Sequence, residues 1–147
     1  MDLDAYTRNL IDDMRAHGGQ VTSGPMAGRP LMILTTTGAK SGAPRTAIVT
    51  YTRDRNRYVI AASKGGAPTN PAWYHNLVSH PEALAEAGGE SFAVRATVTT
   101  GAERDRLWEQ HAAERPEFRE YPTRTQRVIP VLTLQRIDLA GKREDAS

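Results

Sequence analysis

Apolar residues near the start of the chain recur at helical spacing. Leu10, Ile11 and Met14 fall on one side of a helix, and charged residues fall on the other. This pattern predicts an amphipathic helix over residues 1–19 that ends at Gly18-Gly19. The favoured interpretation is a helix that packs on its own domain. The alternative is a detachable helix that touches a membrane surface or a partner.

Further along, short apolar runs rich in β-branched residues predict about six strands. The predicted strands are Leu31–Thr37, Thr46–Thr52, Tyr58–Ser63, Ala83–Ala87, Phe92–Thr99 and Val128–Ile137. Asp54-Arg55-Asn56 is typical of a hairpin turn between two of them. The run Ala83–Ala87 is ambiguous because alanine favours helix. We interpret it as the hairpin partner of the following strand, through Gly88-Gly89-Glu90.

Two more helices are expected between these strands. Asn70-Pro71 is a favourable helix start, with Asn as the N-cap and Pro in the first turn, and His80-Pro81 ends that helix. Thr100 and Glu103 have the spacing of a capping box, which predicts a helix to about Glu114. Because strands follow one another in hairpin-linked groups, the pattern favours an α+β fold built on a mainly antiparallel barrel.

Size, charge and composition narrow the classes of function. A chain of 147 residues with net charge +2 fits one domain and does not favour nucleic acid as a partner. The basic residues are unevenly spread, with one run between Lys40 and Lys64 and another between Arg115 and Arg136. Such runs are usually solvated faces, but they also suit an anionic ligand or an anionic membrane surface.

Several kinds of site are unlikely on composition and motifs. The chain has no cysteine, and its four histidines are scattered, so we expect no metal site. Gly38-Ala39-Lys40-Ser41 lacks the glycine that a P-loop needs directly before its lysine. Neither a dinucleotide fingerprint nor a nucleophile elbow is present. No signal peptide and no apolar run of membrane-spanning length are visible.

Two segments that follow apolar strands carry the chemistry of an anion site. Residues 35–46 and 61–66 are rich in small and hydroxylic side chains, which let backbone N–H groups approach an anion. Lys40, Arg45 and Lys64 add positive charge. Together the segments predict a site for a phosphorylated or polyanionic ligand. The alternative is two polar turns with solvated cations.

Aromatic residues beside these segments suggest a wall for a planar ring. Trp73 and Tyr74 lie at the start of the second predicted helix, one short loop after Lys64. The alternative is that both simply anchor that helix to the core. Residues 119–124 carry Tyr121 with hydroxyls and cations outside any periodic element, which is typical of a lid over a site.

At this level of detail the chain resembles the deazaflavin-dependent nitroreductase family of actinobacteria. The resemblance covers about residues 5–137 and rests on the following segments. They are Leu31–Gly38, Ser41-Gly42, Pro44–Thr46, Ala62–Pro68, Pro71–Leu77 and Thr125–Val131. Met26 departs from the family pattern, which often has an aromatic residue there, and Phe118 replaces a tyrosine found in some members. Both positions are expected near the acceptor.

The resemblance implies a split β-barrel that binds the reduced 8-hydroxy-5-deazaflavin coenzyme F420. This coenzyme has a planar tricycle, a ribityl phosphate and a polyglutamate tail. The positions carried over as cofactor-binding are Gly38, Lys40, Ser41, Gly42, Arg45, Ala62, Ser63, Lys64, Gly65, Gly66, Trp73 and Asn76. Because the coenzyme carries the redox chemistry, neither cysteine nor metal is required.

The implied reaction is hydride transfer from C5 of the reduced ring to a quinone or nitro-type planar acceptor. Ser63 and Tyr121 are the residues we predict as catalytic, since a hydroxyl near the acceptor oxygen can donate a proton. The alternative is that water supplies the proton. Two other functions stay open: an FMN-dependent split-barrel oxidoreductase, and a non-catalytic barrel that sequesters a flavin or haem.

The expected organisation follows from these assignments. Residues 1–19 form the amphipathic helix, residues 20–138 the cofactor-binding split barrel, and residues 139–147 a disordered tail. We expect a cytoplasmic protein. Attachment to the inner face of the cell membrane is left open, as are the oligomeric state and the identity of the acceptor.

Overall fold

The computed structural model describes residues 5–63, 66, 69–123, 125 and 128–137. Within this part of the chain, seven strands form one antiparallel sheet. They are β1 (Leu31–Thr37), β2 (Pro44–Thr50), β3 (Thr52–Asp54), β4 (Arg57–Ala61), β5 (Glu82–Ala87), β6 (Glu90–Val98) and β7 (Val131–Ile137). Their order across the sheet is β2-β1-β5-β6-β7-β4-β3.

Helices cover parts of this sheet. The described residues include three α-helices, α1 (Ala5–Ala16), α2 (Ala72–Ser79) and α3 (Gly101–Glu114), and a 3-10 helix over Pro116–Thr123. The predicted α+β class is therefore confirmed. No helix among the described residues is long and apolar enough to cross a membrane.

The sheet curls, so that its two ends share one core. Val49 of β2 and Tyr58 of β4 belong to the same buried cluster, although their strands lie near opposite ends of the sheet. The chain passes from edge strand β2 to edge strand β3 through Tyr51, whose N–H donates to the carbonyl of Pro30 (3.0 Å). The edge strands are not paired with each other in the described part, so the barrel stays split.

This corner at Tyr51 explains the extra strand. The sequence predicts one continuous strand over Thr46–Thr52, but the backbone leaves the β1–β2 ladder at Thr50 and enters the β3–β4 ladder at Thr52. Hydrophobic periodicity does not register such a change of partner, because both strands stay extended.

Alternate residues of β1 face the two sides of the sheet. Met32 and Leu34 are fully buried inside the curled sheet. Leu31 and Ile33 face outward and pack against Ile11 and Met14 of α1. The structure thus supports the packing interpretation of α1. Burial of each such side chain stabilises the fold by roughly 1.5–3 kcal/mol.

A polar contact also fixes α1 to the sheet. Arg15 forms two hydrogen bonds with the carboxylate of Glu86 on β5, at 2.9 and 2.7 Å. Thr22, which follows the helix, donates hydrogen bonds from its N–H and its hydroxyl to the carboxylate of Asp13 within α1. These bonds orient α1, whereas the buried apolar contacts supply its attachment.

The local turns were predicted with mixed success. Arg55 has φ +58° between β3 and β4, as the predicted hairpin turn requires, and β5 pairs with β6 across Gly88-Gly89. The predicted capping box is wrong, because the Thr100 side chain makes no capping hydrogen bond. Glu103 instead forms an ion pair with Arg57 (3.4 Å).

Other element ends shift by a few residues. α2 begins at Ala72 with Pro71 as its N-cap, one residue later than predicted, and it ends at Ser79 as expected. β7 begins at Val131 rather than Val128. Residues 1–4 and the predicted tail at 139–147 lie outside the described residues.

Candidate functional site

The inward-facing rows of β1 and β2 become polar at one end of the curled sheet. Cross-strand partners point to the same face, and the pairs run Met32 with Val49, Leu34 with Ala47 and Thr36 with Arg45. The first pair is apolar and buried, whereas the last ends in an exposed guanidinium. The interior of the sheet therefore opens into a polar mouth between β1, β2 and α2.

A cleft of about 580 Å³ occupies this mouth. Its described lining residues come from β1, β2, the β1–β2 loop and the start of α2. They are Thr36, Gly38, Ala39, Lys40, Ser41, Arg45, Thr46, Ala47, Ala72, Trp73, His75 and Asn76. Six of the residues predicted to bind a cofactor are among them, and the described lining contains no acidic side chain.

The β1–β2 loop at residues 38–43 folds tightly on itself. The Gly38 N–H donates to the carbonyl of Ala43 (2.8 Å), and the Gly42 N–H donates to the carbonyl of Gly38 (2.9 Å). A Cβ on Gly38 would lie 2.5 Å from Oγ of Ser41, and Gly42 has φ +72°. Crowding at Gly38 and the positive φ at Gly42 therefore favour glycine at both positions.

This loop presents groups that suit an anion. The backbone N–H groups of Lys40 and Ser41 donate to none of the described residues. The Lys40 side chain is exposed and forms no ion pair within the described part of the chain. The exposed Arg45 lines the same cleft. Unpaired N–H groups beside cationic side chains are the usual means of binding phosphate.

Asn76 links the helix to this loop. Its Oδ1 accepts a hydrogen bond from the N–H of Ala39 (2.9 Å), and its Nδ2 donates to the hydroxyl of Thr36 (3.0 Å). The Thr36 hydroxyl in turn donates to the carbonyl of Arg45 (3.3 Å). Asn76 is 7% exposed, so its amide is largely engaged within the protein.

Trp73 forms part of the wall beside the loop. The half-buried indole packs against the inner core and also lines the cleft. Both interpretations of the aromatic pair therefore apply to Trp73, which anchors α2 and faces the cleft. Tyr74 packs against the core without lining the cleft, and its ring contacts His75 (5.3 Å).

Several predicted residues lie away from this cleft. Ala62, Ser63 and Gly66 are buried after β4, where the Gly66 N–H donates to the carbonyl of Ser63 (2.9 Å). Gly42 lines a separate groove across β1 and β5. Lys64 and Gly65 lie outside the described residues.

Tyr121 lies on the other side of the sheet, with α3. Its ring packs edge-on against Phe118 (5.1 Å), in the cluster that includes Val59 and Ala61 of β4. It is not among the described residues that line the cleft. Phe118 is buried in the same cluster, away from the expected acceptor side.

Some lining residues were missed at the sequence level. Thr36, Ala39 and Thr46 fall inside the predicted segment 35–46 but were not named as binding residues, whereas Ala47, Ala72 and His75 were missed altogether. Strand alternation could have indicated Thr36 and Ala47, since both continue inward-facing rows toward the anion loop. The others depend on how β2 and α2 approach each other, which no local pattern encodes.

A second cavity adjoins the cleft along edge strand β2. It measures about 340 Å³, and Thr46 and Ala47 line both spaces. The remaining described lining comes from α1, the loop after it and β2, namely Tyr6, Thr7, Leu10, Met26 and Ile48. This cavity is mainly apolar, so the two spaces offer a cationic part and an apolar part side by side.

Comparisons with known proteins identify the family of this chain. The sequence profile of the F420H(2)-dependent quinone reductase family matches residues 6–136. An F420H(2)-dependent quinone reductase of Mycobacterium tuberculosis is 43% identical over 112 residues, which is 73% of this chain and 74% of the relative.

Solved structures extend the likeness to the fold. The structure of an F420-H2 dependent reductase superposes with a TM-score of 0.67 at 35% identity, covering 73% of this chain and 95% of that one. A heme-binding protein of Mycobacterium smegmatis shares the fold alone, at 18% identity and a TM-score of 0.54, over 74% of this chain and 47% of that one. The chain therefore belongs to the F420H(2)-dependent quinone reductase family.

Proposed function

We infer that this protein reduces quinones with the reduced deazaflavin coenzyme F420. The observation that carries the inference is the cleft in which Lys40, Arg45 and Trp73 meet beside unpaired backbone N–H groups. Family membership supports the same cofactor and acceptor class. An FMN-dependent enzyme is not favoured, because the family profile and the similar reductase are named for F420H(2). A non-catalytic haem barrel is not favoured, because the haem-binding protein shares only the fold.

The residues of the cleft suit the parts of this coenzyme. The Lys40 and Ser41 N–H groups bind the ribityl phosphate, and Lys40 and Arg45 neutralise its charge. Trp73 forms a flat wall for the tricycle. When bound, the reduced coenzyme supplies a hydride from C5. Gly38 keeps the loop tight enough to present its N–H groups together.

The second cavity suits the acceptor. Its apolar lining from α1 and β2 suits a quinone ring or its hydrocarbon substituent, and it joins the cleft at Thr46 and Ala47. Planar nitro compounds of similar size belong to the same acceptor class. As the acceptor gains negative charge on oxygen, it needs a proton. Ser63 and Tyr121 stay our proposed donors, although neither is among the described residues that line the cleft or the second cavity, and water is the alternative.

We also propose that α1 helps to meet a quinone dissolved in lipid at the inner face of the membrane. Two observations support this role, namely that Tyr6 is 58% exposed and that Leu10 lines the second cavity. Because Ile11 and Met14 are buried under α1, removing the helix would also disturb the core. A cavity substitution is therefore a cleaner test than truncation.

The decisive experiment is anaerobic turnover followed by the loss of reduced F420 on addition of a soluble quinone. We expect saturable turnover, tight binding of F420 and weak binding of FMN in fluorescence titrations. Equal or tighter FMN binding would overturn the cofactor assignment. Cofactor binding without turnover of any quinone would instead favour sequestration.

Met26→Phe tests the acceptor cavity. The larger ring fills the space beside Leu10, so we expect the KM for a long-tailed quinone to rise about tenfold, with little change for a ring-only quinone. F420 affinity serves as the control and stays unchanged. Equal KM changes for both quinones would show that the hydrocarbon tail of the quinone binds outside this cavity.

A further inference from the structure

We propose that Asn76 is a positioning residue for cofactor binding, because it holds the anion-binding loop against the helix that carries the ring wall. The inference rests on the proposed function, since it concerns the same cleft. It assigns to Asn76 an indirect action through the loop, whereas the resemblance to the family implies only that this position binds the cofactor.

The geometry joins α2 to the β1–loop–β2 segment, and the bonded residues lie 37 and 40 positions apart in the chain. Asn76 on α2 accepts from the Ala39 N–H in the loop and donates to the Thr36 hydroxyl on β1, at 2.9 and 3.0 Å. Thr36 then donates to the Arg45 carbonyl at the start of β2 (3.3 Å). The Asn76 amide therefore holds Ala39, the residue directly before Lys40 and Ser41. Thr36 extends the connection to Arg45.

An amide is suited to this position. It offers an acceptor to the Ala39 N–H and a donor to the Thr36 hydroxyl, and Asp in its ionised form would lose the donor. A carboxylate would also bring negative charge into a cleft whose described lining has none. Because the Ala39 N–H donates to Asn76, the next two N–H groups of the loop are the ones left for the ligand.

The arrangement predicts an effect that depends on the phosphate of the ligand. In the proposed complex the loop would hold the phosphate, whereas Trp73, which lies on α2 itself, would lie beside the ring. Loosening the loop should therefore weaken F420 binding by about 10- to 30-fold, while a ribityl deazaflavin without the phosphate loses little affinity. The KM for reduced F420 should rise and kcat at saturation should stay near that of the wild type.

The variants are Asn76→Ala and Thr36→Val, with Thr36→Ser as the conservative variant that retains the hydroxyl. Val78→Ala, at an exposed position on the same helix, is the matched control. Dissociation constants for F420 and for the phosphate-free deazaflavin are measured by fluorescence. The double variant Asn76→Ala/Thr36→Val should lose less affinity than the two single losses combined, because both act through one connection.

The outcomes separate this inference from the proposed function. If the wild type binds neither ligand, the proposed function fails. If the wild type binds both and Asn76→Ala weakens them equally, Asn76 contacts the ring directly and the positioning role is overturned. Unchanged affinity for F420 also overturns it. If Asn76→Ala does not fold, Thr36→Val against Thr36→Ser decides, because rescue by serine is expected only if the hydroxyl holds the loop.

Discussion

Two regions of this molecule contain clustered arginine or lysine side chains, and they use them differently. At the cleft, Lys40 and Arg45 are exposed beside a described lining that contains no acid. Beside α3, the buried carboxylate of Asp54 accepts hydrogen bonds from Arg57 (2.5 Å) and Arg106 (3.3 Å). The first region leaves its cationic side chains exposed at a cleft, whereas the second pairs its arginines with a carboxylate inside the fold.

The aromatic residues show the same division. Trp73 packs at the mouth of the cleft, where one part of the ring meets open space. Trp108 is buried on α3 with Phe118, His111 and the Val59 side of the sheet. The comparison teaches that residue type does not identify a site in this chain. What distinguishes the cleft is that the Lys40 and Ser41 N–H groups donate to none of the described residues, beside exposed cations and no acidic side chain in the described lining.

Tyr121 provides the strongest test of this division, because it packs in the α3 region and yet is predicted to donate a proton. Tyr121→Phe retains the ring against Phe118 and removes only the hydroxyl. If that hydroxyl is the acid, kcat at saturating reduced cofactor falls about 10²–10⁴-fold. Ser63→Ala is the parallel variant after β4. Wild-type turnover in both variants across the pH range would assign the proton to water.

The next largest expected effect is that of His111, which we expect to change the free energy of unfolding and not the activity. Its ring is fully buried, Nδ1 lies 2.8 Å from the Thr52 hydroxyl and Nε2 has no partner. Burial lowers the pKa of His111 to about 4, with Glu117 raising it and Arg115 lowering it further. The unfolded chain, with a pKa near 6.5, binds the proton more readily.

Keeping His111 neutral therefore costs the folded state nothing above about pH 6.5. As the pH falls from 6.5 toward 4, the unfolded chain takes up the proton first, and the free energy of unfolding decreases. The loss amounts to about 3 kcal/mol in the free energy of unfolding. His111→Asn should abolish this slope in urea titrations, whereas the exposed control His80→Asn should keep it. An unchanged acid slope in His111→Asn would contradict the assignment.

Asp54→Asn tests the paired arginines of the α3 region. Hydrogen bonds from Arg106 and Arg57 lower the pKa of Asp54 to about 2, so its stabilisation is full above about pH 4 and is lost toward pH 2. At pH 7 the variant should lose about 2 kcal/mol of stability. F420 affinity should not change. A weakened affinity would show that the two regions are coupled.

The smallest expected effects belong to the cleft cations. Lys40→Ala or Arg45→Ala should weaken F420 binding by about tenfold each without changing the free energy of unfolding. Because both side chains are exposed, the effect should shrink as salt is added. Arg95→Ala, which removes an arginine paired with Glu82, is the control. An equal loss of affinity in that control would indicate a general charge effect.

Much of the site was predictable because its chemistry is local. The small residues of the loop at 38–43, beside Lys40 and Arg45, predict an anion site. In the structure Lys40 and Arg45 line one cleft together with Trp73 and Asn76. Whether Ser63, Lys64 and Tyr121 act on the ligand stays a prediction. Sequence reasoning did not separate Arg45, which faces the cleft, from Arg57, which is paired with Asp54.

The sequence by itself determined the strands, the turns and the α+β class, because alternation, helical spacing and glycine positions act over a few residues. The tertiary structure alone decided the corner at Tyr51, the partners of Glu103 and the clamp of Asn76 on Ala39 and Thr36. The residues that these features join lie between about 20 and 46 positions apart in the chain. Hydrogen-bond satisfaction across such distances depends on how the elements pack, and no short window of sequence contains both partners.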